Sequence, residues 1–167
     1  MDSIEAIIKE LDLKPHPEGG YFKETYRSVG TINPKDLGST YSGVRHQATC
    51  IYFLLTADTF SAFHKIHQDE IWHFYQGDPI VLHMISPEGK HSSVRIGSHF
   101  SQGEIPQFVV PGGYWFAAEI LNAGTYALVG CTVSPGFDFQ DFILGDRHEL
   151  VSLFPQHTEV ITQFTRI

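Results

Sequence analysis

Between residues 49 and 133 the chain is a series of short β-branched and aromatic runs, each halted by a turn signal, with no helical spacing between them. The runs fall at 49–55, 62–64, 70–75, 80–86, 92–96, 107–110, 114–120 and 126–133. Gly77-Asp78-Pro79, Pro87-Glu88-Gly89-Lys90, Pro111-Gly112-Gly113 and Ser134-Pro135-Gly136 punctuate them. Strands at this spacing without helical crossovers predict an all-β antiparallel sandwich or barrel. Upstream, Ile4, Ile7, Ile8 and Leu11 share one helical face, with Asp2 and Glu5 placed for a capping box and Pro15 and Pro17 ending the helix. A strand is expected over 21–26, and a loop over 30–43. Helix returns over 146–154, breaks at Pro155, and resumes in a second short pattern. No repeat or long linker divides the 167 residues, so one domain is expected over 1–167.

Composition narrows the function classes. Hydrophobic residues make up 42% and charged residues 18%, enough apolar mass for a real core and against disorder. The net charge is −8 with no basic run, so nucleic acid is not an expected partner. No apolar run reaches membrane-spanning length and no secretion signal opens the chain, so no membrane contact and a cytoplasmic location are expected. Cys50 and Cys131 lie within apolar strand-like runs, reading as buried, inert thiols of a reducing compartment.

The densest chemistry lies at 63–77, where His64, His67, Asp69, Glu70 and His73 stand among aromatic residues. Such a set suits a metal site or an acid/base site only if the side chains converge. Strand parity puts Glu70, Trp72 and Phe74 on one face, and Ile71, His73 and Tyr75 on the other. His73 therefore points away from Glu70, His64 meets Glu70 from the neighbouring strand, and His67 sits at the rim of the connection.

The same residues carry a resemblance to the cupins. His64, Glu70 and Gly77 match three positions of their first motif, and Pro111, Gly112 and Gly113 match their second. Ile66 and Phe116 stand where the two remaining metal-binding histidines belong. The wider pattern resembles one uncharacterised branch, Cupin_5. It rests on His16-Pro17-Glu18-Gly19-Gly20-Tyr21-Phe22, Asp69-Glu70-Ile71-Trp72-His73-Phe74-Tyr75 with Gly77-Asp78, and Val110-Pro111-Gly112-Gly113-Tyr114-Trp115. Gly130-Cys131-Thr132-Val133, continuing to Pro135-Gly136-Phe137-Asp138-Phe139, completes it. The resemblance covers nearly the whole chain. It implies a double-stranded β-helix, the cupin jelly-roll barrel, with a short N-terminal helix and C-terminal helices. It also implies a homodimer similar in fold to keto-sugar epimerases of rhamnose biosynthesis, and brings no settled reaction with it.

Three functions compete on this reading. The preferred one is small-molecule binding in the barrel, with metal-free epimerase or isomerase chemistry on a carbohydrate-like ligand. In it His64 is the base, Glu70 orients it, and a tyrosine supplies the acid. Tyr21, Tyr26, Tyr52 and Tyr114 are the tyrosine candidates. Arg27 and Arg45 are candidates for an anionic ligand group, and Trp72, Phe74, Trp115 and Glu119 are further ligand-binding candidates. No cofactor is expected. The second reading is a divalent-metal oxygenase or isomerase, its metal on His64, Glu70 and His67, with His83 or Glu119 as substitutes. The third is a ligand-binding or structural dimer without turnover, its aromatics serving simply as core.

Overall fold

The computed structural model of the protein describes residues 3–121 and 125–167. Helix α1 spans Ile4–Glu10, and its N-cap is Ser3, whose hydroxyl accepts from the Ala6 N–H at 3.2 Å. Asp2, expected in a capping box, lies outside the described residues. Strands β1 (Lys14–Pro15) and β2 (Tyr21–Arg27) follow. The segment expected to be a loop holds β3 (Thr31–Ile32) and a one-turn helix α2 (Pro34–Leu37). Asn33 caps that turn and Pro34 supplies a φ suited to its start, so local chemistry builds it where no apolar period marks it.

The next strands are β4 (Arg45–His46), β5 (Thr49–Thr56), β6 (Ser61–Lys65), β7 (Asp69–Gly77), β8 (Ile80–Ile85) and β9 (His91–Ile96). After them come β10 (Gln107–Val110), β11 (Trp115–Ile120), β12 (Tyr126–Ser134) and β13 (Ile143–Leu144). All pairings between named strands are antiparallel. One sheet runs β1-β2-β5-β12-β7-β10 and the other β13-β6-β11-β8-β9, the two-sheet closure of a jelly roll. Helices α3 (Arg147–Leu153) and α4 (Thr158–Gln163) close the chain. Asp146 caps α3 by accepting from the Glu149 N–H at 2.9 Å. Among the described residues no helix is long and apolar enough to cross a membrane.

Alternation explains the layers. Phe53 and Leu55 of β5, Trp72 of β7, Leu82 and Met84 of β8, Phe116 and Ala118 of β11, and Val129 of β12 fill the space between the sheets. Residues of opposite parity serve the outer faces. Leu54 and Leu128 pack beneath α1 with Ile7 and Leu13. Ile85 and Ala117 pack beneath α3 and α4 with Leu150, Ile161 and Phe164.

Besides a register shift between β6 and β11, where Phe116↔His64 is followed by Ala118↔Ser61, two bulges adjust which side chains face inward. In β2 the pairing steps from Glu24↔Ile51 to Tyr26↔Cys50, leaving Thr25 unpaired. In β7 it steps from Val129↔Phe74 to Leu128↔Gln76, leaving Tyr75 unpaired. Each adds one residue to one strand and reverses its subsequent parity. Close to the second bulge, Gly77 has φ +102° and its backbone presses against that of Tyr126, a position no side chain would fit.

Candidate functional site

The apolar filling stops short of one end of the barrel. There β12, β5 and β7 stand in register, Val133 paired with Thr49 on one side and with Glu70 on the other. A cavity of about 570 Å³ opens beside them, and it reaches His64 on β6 of the opposite sheet. Phe22, Ile51, Phe53 and Ile66 form its apolar belt. Segment 137–142 forms its mouth, where Phe137, Phe139 and Phe142 pack edge to face.

Its polar floor centres on Glu18 and His64. Gly19 (φ +117°) and Gly20 (φ +72°) turn the chain so that Glu18 points inward. The Glu18 carboxyl accepts from Ser61 Oγ at 2.9 Å. Its Oε2 approaches His64 Nε2 at 3.1 Å and His16 Nδ1 at 3.3 Å. The Ala62 carbonyl assigns one tautomer. His64 Nδ1 lies 2.7 Å from that carbonyl, which only accepts, so Nδ1 carries a proton. His16 Nδ1 lies 3.3 Å from both the Glu18 backbone N–H and Glu18 Oε2. Neutral His64 would then set a bare nitrogen 3.1 Å from a carboxyl oxygen. One proton held between them removes the clash of lone pairs. Burial raises the Glu18 carboxyl and lowers the His64 imidazole, so the proton favours Glu18.

Glu70 is the second acid/base group. Burial pushes its carboxyl up to about 7, against the pull of His64 and with the push of Glu18; Cys131 and Trp72 draw it partly back. The Trp72 indole N–H nevertheless completes no hydrogen bond. His16 is lowered, chiefly by burial and against the opposing charge of Glu18. Cys131, next to Glu70 on the wall, is pushed well up by burial and by both carboxyls, which keeps the thiol protonated.

The structure brings together two of the residues singled out from sequence, His64 and Glu70, but corrects their relation. Glu18, not Glu70, contacts the His64 nitrogen; Glu70 acts on it through charge. His73 points outward as parity requires, onto Thr132 Oγ1 at 3.1 Å. The other candidates stand off the cavity. Tyr21 and Tyr52 pack with the α1 cluster, and the β2 bulge leaves Tyr26 exposed. No tyrosine lines the cavity among the described residues. Trp72 is fully buried core, and Phe74 and Tyr114 pack against that core. Trp115 lies on the outer face of its sheet beneath Lys65, and Glu119 pairs with His83 at 3.4 Å. Arg45 is buried and committed to Asp141 at 2.6 and 2.7 Å. His67 packs edge-on against Tyr41. Arg27 does line the cavity, but both oxygens of Glu24 accept from it at 2.7 and 2.9 Å.

The resemblance to cupins implies a metal site, and these residues do not fit one. The Phe116 ring centroid lies 4.0 Å from that of the His64 imidazole, where a further donor would be required. Among the described residues no three His, Cys, Asp or Glu side chains are arranged to hold a metal ion.

His16, Glu18, His46, Asp138 and the three phenylalanines of the mouth were not foreseen. A readable signal existed for the first two. An ionisable pair inside His-Pro-Glu-Gly-Gly is fixed in place by the proline and glycines around it. Gly19 makes this testable, because a Cβ there would drive into the Phe60 carbonyl and the Arg166 guanidinium. Gly19→Ala is expected to cost about 2 kcal/mol in urea unfolding. Full stability in that variant would show that the turn is not constrained.

Comparison with known proteins agrees with this architecture. Residues 5–145 match the family Cupin_5, described as cupin superfamily (DUF985). The chain is 36% identical over 155 residues to the uncharacterized protein YML079W of Saccharomyces cerevisiae, covering 86% of this chain and 77% of that one. Among solved structures it is similar to protein SO0799 from Shewanella oneidensis, with 37% identity, TM-score 0.90 and 99% of each chain covered. A hypothetical protein from Leishmania major is similar at 37% identity and TM-score 0.89, covering 99% of this chain and 100% of that one.

Proposed function

We propose, from the premise that this chain belongs to the cupin superfamily family Cupin_5 (DUF985), that its barrel binds a carbohydrate-like small molecule and moves a proton on it without a metal. The observation that carries the reading is one cavity floor holding two buried acid/base groups from opposite sheets. These are Glu70 of β7 and the Glu18–His64 pair, whose imidazole is on β6. A carboxyl near 7 is half ionised at neutral pH, so Glu70 is suited to accept a proton from the carbon beside a carbonyl. The C–H electron pair then passes to the carbonyl oxygen, giving an enolate. For epimerisation the proton shared by Glu18 and His64 is delivered to the same carbon on the opposite face, as the enolate oxygen's electron pair re-forms the carbonyl. For isomerisation the hydroxyl proton on the deprotonated carbon passes to the enolate oxygen, a carbonyl forms there, and the shared proton adds to the former carbonyl carbon. Phe22, Phe53, Phe137, Phe139 and Phe142 line the same cavity and supply an apolar surface for the ligand's C–H groups.

The test is solvent deuterium exchange. Carbohydrate-like compounds that raise the melting temperature are incubated with the protein in deuterated buffer and followed by NMR. Incorporation at the carbon beside the carbonyl is expected, with the rate lowered about a hundredfold by His64→Gln. A ligand that binds with no incorporation would reduce the protein to a binding module.

A further inference from the structure

We propose that the cavity takes an uncharged, hydroxyl-bearing molecule and rejects phosphorylated or carboxylated ones. This rests on the reading of the barrel as a ligand site and names the charge class of what it holds. Four acidic side chains line the cavity, Glu18, Glu24, Glu70 and Asp138, against one guanidinium, Arg27, among the described residues. Arg27 is not open to a ligand anion: Glu24 holds it through both carboxylate oxygens, and it also donates to the Phe137 carbonyl at 3.1 Å. Arg45 is 2% exposed, with Asp141 and the Val44 carbonyl accepting from its three nitrogens.

The buried histidines do not make up the missing positive charge. His46 Nδ1 sits 2.6 Å from the Ser28 carbonyl and is spent on it. Burial keeps His16 and His64 toward their neutral forms. The polar lining is thus weighted toward acceptors, and the apolar lining includes the five phenylalanines 22, 53, 137, 139 and 142. Hydroxyl groups match the first and the C–H face of a ring or chain matches the second. An anion would enter among four acidic side chains, with the one guanidinium held by Glu24 and no cation released to it.

Two measurements decide it. Free aldoses and ketoses are compared with their own monophosphates by thermal shift and calorimetry; adding the phosphate is expected to weaken binding about tenfold or more. Separately, the Glu70 carboxyl is titrated by carbon NMR with and without millimolar inorganic phosphate or pyrophosphate. His64, Glu18, His16 and Cys131 are the titratable groups that act on Glu70 or its partners, so a bare anion in the cavity would drive its midpoint above about 7. No change is expected. A monophosphate that binds as tightly as its free sugar, or an upward move of that midpoint, overturns the proposal. Failure of the proton transfer would look different: an uncharged ligand would bind in preference to its phosphate, yet exchange no deuterium.

Discussion

Asp141→Ala is expected to lose about 3–5 kcal/mol of folding stability, read as a drop in the urea midpoint at unchanged slope. Arg45 and Asp141 are each 2% exposed, and both carboxylate oxygens accept from the guanidinium. Gln68 Nε2 donates to the same carboxylate at 2.7 Å. Removing the acid leaves the buried guanidinium with only the Val44 carbonyl as acceptor and the Gln68 amide N–H with only the Gly136 carbonyl at 3.3 Å, while its Oε1 already lacks a partner. The joint replacement Arg45→Met with Asp141→Leu should cost much less, because neither charge is then buried alone. Equal losses in the single and joint variants would refute the ion pair as the cause. The loss has a functional consequence, since Asp141 ends the turn that carries Phe139 and Phe142 over the cavity. Burial by itself would raise the Asp141 carboxyl, but the Arg45 and Gln68 hydrogen bonds and the Arg45 charge outweigh it and hold it low. For an acid so depressed, the contribution is complete above its unfolded value and disappears as pH falls through its folded one.

Glu70→Gln should act in the opposite direction, making the protein more stable at pH 8 by about 3 kcal/mol. The Glu70 carboxyl is raised from an ordinary 4.5 to about 7. Within that window the folded state binds the proton more tightly than the unfolded state does. Stability is therefore greatest in acid and declines as pH rises, by 1.36 kcal/mol per unit over about 2.5 units. Glutamine cannot ionise, so the variant escapes the decline. Wild type and variant should agree near pH 4.5 and separate steadily up to pH 7. Glu18, also raised by burial, leaves the variant a remaining slope of the same sign. Parallel stability curves for the two proteins would mean that Glu70 is solvated, and with it the proposed base. The gain in stability should accompany a loss of deuterium exchange, as expected where a buried carboxyl is kept for chemistry at the expense of folding.

The positions of the nine longer strands were legible because turn residues interrupt β-branched runs, and these strands differ from expectation by at most two residues at their ends, whereas the two-residue strands β1, β3, β4 and β13 were not expected. β7 runs over Asp69–Gly77, longer than the 70–75 expected, since backbone pairing continues beyond the apolar alternation. The outward turn of His73 followed from parity alone. Tyr26 did not follow from parity, because a bulge at Thr25 is set by pairing with β5 and leaves no mark in its own strand. In sequence, Arg27 and Arg45 are candidates for an anionic ligand group, with structural pairing as the competing reading. Their charges are used by Glu24 and by Asp141, and the second partner is 96 residues away.

The sequence by itself determined an antiparallel all-β chain and the inward facing of His64 and Glu70, which depend on period, turn chemistry and residue type, all of them local. Its resemblance to the cupins implied the jelly roll and marked the two positions, Ile66 and Phe116, where apolar residues replace metal ligands. Only the tertiary structure decided that Glu18 rather than Glu70 touches His64, and that no tyrosine reaches the cavity among the described residues. It also decided that Glu70 sits near 7. The physical reason is that contact between distant segments and removal from water belong to the closed barrel. A carboxyl's partner and its proton affinity are set by what surrounds it after folding.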